Sequence, residues 1–167
     1  MMSPHRIKKC AFWLAGMLMS VTGWAEQGSM AVLTVTGTLV ETPDCTVNNN
    51  NTITVNFGEV ITTQIDGTEY KKTTIPYTLT CNSLAQQGLR MTLTGTASPV
   101  GSSYFATNRS QLGIKITYGD SVISPNDSLT FNYGTTPVLY AIPYSSNAAA
   151  LTTGVFYGSA TMVLSYQ

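Results

Sequence analysis

The stretch GVFYGSATMVLSYQ, residues 154–167, alternates between apolar and polar side chains. A period of two is typical of a β-strand, whose successive side chains point to opposite faces. One face of this stretch carries Ala160, Met162, Leu164 and Tyr166. The pattern therefore predicts a strand near 155–166 with an apolar face that must be covered. An ordinary strand of a complete sandwich fits this pattern, and so does one wall of an open groove.

A second alternating stretch, SMAVLTVTGTLV, occupies residues 29–40. The residues on its more apolar face are Ala31, Leu33, Val35, Gly37 and Leu39. Alternation alone favours an ordinary first strand that packs within its own sandwich. The alternative is a strand that packs into another subunit.

The rest of the chain shows the same short period and almost no helical period. We predict strands near 31–40, 52–57, 71–80, 88–96, 113–118, 128–133, 136–144 and 155–166. Turn-forming residues separate them at 42–44, 48–51, 66–67, 101–103, 125–127 and 145–147. One helical turn is expected within 147–151. Short strands divided by such turns indicate an all-β sandwich.

Residues 1–25 have the composition of a secretory signal peptide. A basic start is followed by an apolar stretch at 10–21 and by small residues at Gly23 and Ala25. This predicts export, with cleavage after Ala25. The remaining residues carry five basic and eight acidic side chains. Their net negative charge argues against a nucleic-acid partner.

The cysteines give a simple count once the signal peptide is set aside. Cys10 lies within it, which leaves Cys45 and Cys81. An even pair in an exported protein indicates one disulfide, with two free buried thiols as the alternative.

Enzymatic function is not expected, nor is a metal or another cofactor. The only histidine, His5, lies in the predicted signal peptide, so the rest of the chain cannot build a Ser-His-Asp triad or a His-bearing metal site. Four carboxylates could be considered as a glycosidase pair, but their turn-like contexts favour solvated loop charges. They are Asp66, Glu69, Asp120 and Asp127.

Taken in order, several short patterns resemble the pilin subunits of the chaperone–usher pathway, which build Gram-negative fimbriae. An alternating arm contains Gly37, and Cys45 follows eight residues later. The stretch TVN at 46–48, continuing to VNFGEV at 55–60, resembles the family's loop and second strand, and YTLT at 77–80 leads into Cys81. Gly154 and the penultimate Tyr166 complete the resemblance, which covers nearly the whole chain and is greatest for minor or tip-fibre pilins.

The resemblance implies a fold and a function. The fold would be an incomplete immunoglobulin-like β-sandwich that is completed by a donor strand from a neighbour or a chaperone. The function would be that of a structural subunit of an adhesive fimbria. Its partners would be a periplasmic chaperone, an outer-membrane usher and neighbouring pilins, on a route through the periplasm to the cell surface.

Residue by residue, the resemblance divides the chain into a signal peptide at 1–25, a donor-strand extension at 26–40 and a pilin domain at 41–167. The donor strand would use Ala31, Leu33, Val35, Gly37 and Leu39. The acceptor groove would use Gly154, Ala160, Met162, Leu164, Tyr166 and Gln167. Gln167 would supply a terminal carboxylate for the chaperone. At Gly37 a side chain would clash with a shallow part of the groove.

Two other functions remain open at this point. A sugar-binding tip adhesin could use aromatic residues around Tyr104, Phe105 or Tyr118. A self-complete periplasmic immunoglobulin-like domain would need no donor strand at all.

Overall fold

The computed structural model describes residues 31–39, 42–82 and 84–167. The predicted signal peptide at 1–25 and residues 26–30 and 40 of the predicted arm lie outside these ranges. The chain divides into two units between Thr38 and Leu39. No helix in the described ranges is both long enough and apolar enough to cross a membrane.

Within these ranges the second unit contains eleven β-strands. They are β1 (Cys45–Val47), β2 (Thr73–Thr74), β3 (Leu79–Cys81), β4 (Gly88–Thr94), β5 (Ala97–Ser98), β6 (Gly101–Ala106), β7 (Gly113–Tyr118), β8 (Ser121–Ile123), β9 (Ser128–Asn132), β10 (Leu139–Tyr144) and β11 (Thr161–Tyr166). Short 3-10 turns occur at Asn48–Asn50, Thr62–Gln64 and Ala148–Ala150. The all-β prediction is therefore confirmed, as is the helical turn expected within 147–151.

The strands form three antiparallel sheets. The largest has the order β2-β10-β7-β6-β5, with β8 paired to β7, and a second has the order β11-β4-β9. β1 pairs with β3 as a small third sheet. Alternate residues of β4 point into the core: Leu89 and Met91 are fully buried. They pack with residues of the largest sheet such as Phe105, Ile116 and Leu139, so the core lies between two layers.

The predicted disulfide is present between Cys45 and Cys81. These residues face each other in the pairing of β1 with β3, with their Cα atoms 4.0 Å apart. The bond spans a sequence separation of 36 residues, and closing a loop of that length stabilises the fold by about 4 kcal/mol in the chain-entropy model. The bond ties β1, near the start of the second unit, to β3.

Several strand predictions are confirmed with shorter bounds, and 113–118 coincides with β7. The turn predicted at 101–103 is wrong, because those residues begin β6 beside an irregularity in the pairing of β5 with β6. The strand predicted at 71–80 is divided into β2 and β3. Pro76 lies between them and has no N–H to donate to a ladder.

Residues 31–39 and 52–57 alternate as strands do, but the structure assigns no strand to either range. In both ranges the prediction of a strand is therefore wrong for this chain alone. A strand is defined by hydrogen bonds to a neighbour, and alternation does not supply a neighbour.

Candidate functional site

One edge of β11 has no partner strand in the described part of the chain. β11 pairs with β4 along its full length, from Thr161 opposite Thr94 to Tyr166 opposite Leu89. It is the terminal strand of its sheet. Its outer main-chain N–H and C=O groups therefore remain available to another strand.

The face of β11 that points toward the core carries Met162, Leu164 and Tyr166, which are half-buried and pack against the core cluster. Val163, on the other face, is 46% exposed. Ala160 continues the inward stripe just before the strand and is exposed. The predicted acceptor residues of β11 are thus brought together on one face.

The far end of β11 is held by two polar side chains. The Tyr166 hydroxyl accepts a hydrogen bond from the Ala85 N–H at 3.0 Å. The Gln167 amide Nε2 donates to the carbonyls of Leu89 and Phe131, each at 3.3 Å. Gln167 therefore links β11 to both other strands of its sheet, which is a role additional to the one the sequence predicted.

Residues 51–60 carry a second apolar stripe. Ile53, Val55 and Phe57 are half-buried and alternate with exposed polar residues. Among the described residues, no main-chain hydrogen bond joins 52–60 to another segment. This segment therefore has the side-chain pattern of a strand but lacks its pairing.

The two stripes meet at one pair of aromatic rings. The ring centroids of Phe57 and Phe156 are 6.0 Å apart with an interplanar angle of 30°. Phe156 lies on the same alternating face as Ala160 and Met162, and the stripe of β11 thus continues back beyond the strand. The apolar surface bordered by 51–60 on one side and by 154–166 on the other is called the acceptor groove, after the role that the sequence predicts for it.

Gly154 is the first residue of the 154–166 side of the groove. The backbone geometry at this position requires glycine. Its φ is +125°, in a region that L side chains rarely adopt. A Cβ there would also lie 2.5 Å from Nη2 of Arg109. The sequence identified Gly154 but gave no signal for the contribution of Arg109.

The described part of the predicted donor arm has no regular secondary structure. Leu33 and Val35 are 86% and 82% exposed, and Leu39 is fully exposed. Ala31 and Gly37 are exposed as well. Apolar side chains left in water favour association, since burying each one contributes roughly 1.5–3 kcal/mol.

The residues of the sugar-binding alternative do not form one surface. Phe105 is a core residue with 3% exposure. Tyr104, on the opposite face of β6, stacks on Tyr144 with centroids 4.0 Å apart. Tyr118 is 46% exposed at the end of β7.

Three of the four carboxylates considered from the sequence have structural partners. Asp66 accepts from the N–H groups of Thr68, Glu69 and Tyr70, and these hydrogen bonds lower the pKa of its carboxyl. Glu69 pairs with Lys72 at 3.0 Å. Asp127 accepts from the Ser124 N–H at 3.1 Å. These carboxylates stabilise turns and do not form a reactive pair.

Comparison with known proteins gives a consistent result. Residues 33–167 match the model of the fimbrial protein family. The chain is 34% identical over 149 residues to the fimbrial-like protein YfcR of Escherichia coli strain K12, and the match covers 86% of this chain and 85% of that one.

Among solved structures, the P pilus adaptor subunit PapF superposes with a TM-score of 0.57 at 23% identity, covering 76% of this chain and 98% of PapF. The P pilus rod subunit PapA superposes with a TM-score of 0.57 at 20% identity, covering 81% of this chain and all of PapA. These likenesses show that the chain has the immunoglobulin-like fold of pilus subunits.

Proposed function

We propose that this chain, which belongs to the fimbrial protein family, joins its fibre by donor-strand exchange. The chain is a structural, non-enzymatic pilin subunit of a surface fimbria, and its neighbours are other pilins. In this proposal the acceptor groove of one subunit receives the arm of the next. The single observation that carries the proposal is the free edge of β11 beside an apolar stripe. A strand added there would pair with the main chain and cover the stripe.

The arm of the neighbouring subunit is the proposed donor, with Ala31, Leu33, Val35, Gly37 and Leu39 facing the groove. Burying the three larger side chains would contribute a gross gain of about 5–9 kcal/mol before the cost of ordering the arm. The corresponding division of the chain is a signal peptide at 1–25, a donor extension at 26–40 and a pilin domain at 41–167.

Before assembly, an open groove with a free sheet edge would favour aggregation. We therefore propose that a periplasmic chaperone covers the groove. At an outer-membrane usher, the arm of the next subunit would then replace the chaperone in the groove. The chaperone and the arm would each contact the same residues: Gly154, Ala160, Met162, Leu164 and Tyr166, with Gln167 beside them. A minor or tip-fibre position in the fimbria remains a prediction.

Chaperone-free refolding tests this proposal. The chain from residue 26 to 167 is compared with the same chain carrying a copy of residues 29–40 after Gln167, joined by a flexible linker. The control carries a scrambled copy of the same residues. Thermal melts are recorded with the disulfide intact.

We expect the chain with its own arm fused to melt cooperatively at a much higher temperature than the other two, which should be marginal or aggregate. If all three melt alike as monomers, the sandwich is already complete, and a self-contained immunoglobulin-like domain is the better interpretation.

A further inference from the structure

Residues 152–158 lie just before β11, belong to no strand, and are nevertheless held by several hydrogen bonds. The Asn108 N–H donates to the Tyr157 carbonyl and the Tyr157 N–H donates to Oδ1 of Asn108, both at 2.9 Å. Nε of Arg109 donates to the Val155 carbonyl at 3.2 Å, and its Nη1 donates to Oγ1 of Thr152 at 3.3 Å. Asn108 and Arg109 are called the clasp below.

Two glycines allow this close approach. A Cβ on Gly154 would lie 2.5 Å from Nη2 of Arg109, and a Cβ on Gly158 would lie 2.6 Å from the Ala106 carbonyl oxygen. Gly158 also forms an isolated antiparallel bridge with Thr107. Residues 152–158 therefore lie directly against residues 106–109, because Gly154 and Gly158 have no side chain that would separate them.

The clasp is itself braced by its own loop. The Arg109 N–H donates to Oγ1 of Thr107 at 3.1 Å, and the Leu112 N–H donates to the Arg109 carbonyl at 3.0 Å. Because the loop is fixed locally, the hydrogen bonds that Asn108 and Arg109 make to 152–158 fix the position of that segment as well.

The opposite side of the same segment faces the acceptor groove. Phe156 meets Phe57 there, while Val155 and Tyr157, which point the other way, are 79% and 70% exposed. The two sheets of the immunoglobulin fold are antiparallel. An antiparallel arm that places Ala31 beside Tyr166 also places Leu39 beside Gly158.

We propose that Asn108 and Arg109 are positioning residues that hold 152–158 as the second half of the acceptor wall and thereby determine how tightly it receives the Gly37–Leu39 end of a donor arm. This inference rests on the proposed donor-strand function. A main chain already held in place can accept a strand without the entropic cost of ordering it at that moment. β11 does not require the clasp to hold it in place, because its pairing with β4 already fixes its position.

Two donor peptides separate this role from a general effect on folding. The long peptide has residues 29–41, and the short peptide has residues 29–36, which reach β11 only. Each peptide is added while the chain 26–167 is diluted out of denaturant, so that the chain is bound before it can aggregate, and the ratio of the two Kd values is measured. For the natural sequence we expect the long peptide to bind about 10- to 100-fold more tightly, since it buries one further leucine.

Asn108→Ala and Arg109→Ala should reduce that ratio to about threefold or less while the Kd of the short peptide changes less than twofold. Asn108→Asp keeps the acceptor for the Tyr157 N–H and should retain most of the ratio. Arg90→Ala is the matched control: it removes an equal charge from an exposed site on β4 and should leave the ratio unchanged.

An unchanged ratio in the alanine variants would overturn the inference, and so would equal weakening of both peptides, which would indicate a general structural role. If neither peptide binds the natural chain, the donor-strand proposal itself fails and the inference fails with it.

Discussion

Phe57 and Phe156 are the point at which the two walls of the acceptor groove touch, with their ring centroids 6.0 Å apart. Phe57 ends the apolar stripe of the 51–60 segment, and Phe156 begins the stripe that continues into β11. A donor strand that enters the groove must therefore change the surroundings of this ring pair.

Phe156→Trp should report that change directly. Both natural tryptophans, Trp13 and Trp24, precede residue 26, so the new indole is the only one in the chain 26–167. We expect its fluorescence to shift to shorter wavelength when a peptide of residues 29–41 is added, because the ring loses contact with water. Tyr157→Trp, at the outward-facing neighbour, should show no shift, and equal shifts in the two variants would contradict the groove assignment.

Gly37→Arg should leave the folding of its own subunit intact and stop the next assembly step. A Cβ at Gly37 meets no atom within 4 Å in this structure, so the variant has no clash of its own. In a donor strand the same side chain would point into the groove, where we expect no room for it. The measurement is the length of fibres assembled with chaperone and usher present, together with the yield of soluble chaperone-bound subunit.

The matched control for that prediction is Thr36→Arg, since Thr36 faces the other side of the arm. Its fibres should have natural length. Long fibres with Gly37→Arg would mean that the arm does not enter a neighbouring groove with Gly37 inward.

Ala160→Asp should abolish donor binding without unfolding the subunit. Ala160 is exposed in the isolated chain, so an aspartate there remains hydrated. Once a donor strand covers it, the carboxylate would be buried without a partner, which costs several kcal/mol. We expect the Kd for the 29–41 peptide to rise at least tenfold by titration. Ser159→Asp, at an equally exposed outward position, should change it little; comparable losses would indicate a nonspecific charge effect.

Stability at high pH should depend on Tyr77. Burial, with a smaller contribution from Tyr118, raises the pKa of the Tyr77 phenol to about 12. Its hydroxyl donates to the Pro137 carbonyl. A folded-state pKa above the unfolded value near 10 favours the protonated form, so this contribution is complete below pH 10 and is lost as the pH rises through 12.

The measurement for Tyr77 is the free energy of unfolding in urea at pH 8 and pH 11.5 for the donor-fused chain. Tyr77→Phe should be less stable at pH 8 by about 1–2 kcal/mol, because the Pro137 carbonyl loses its partner. Its stability should then fall less between the two pH values than that of the natural chain. Parallel losses would exclude Tyr77 as the group responsible.

Local pattern was sufficient to predict much of the molecule. The alternation of Met162, Leu164 and Tyr166 predicted the last strand and its inward face, and β7 was predicted with its observed bounds. The Cys45–Cys81 bond and the all-β class followed from composition and cysteine count. The family assignment followed from short motifs in order and is confirmed by the family match over residues 33–167. Each of these depends on residue type and spacing, which a sequence contains in full.

What only the tertiary structure decided is which strands have neighbours. Residues 52–57 and 160–166 have similar alternation, but β4 provides main-chain partners for one and nothing in the described chain does so for the other. The contacts of Arg109 with 152–158 likewise join residues more than 40 positions apart, and no local signal marks them. Alternation determines which face of a strand is apolar, because it depends on the chain's own period. Pairing depends on which distant segment the fold brings within hydrogen-bonding distance, and among the residues that the structure describes no segment pairs with the outer edge of β11.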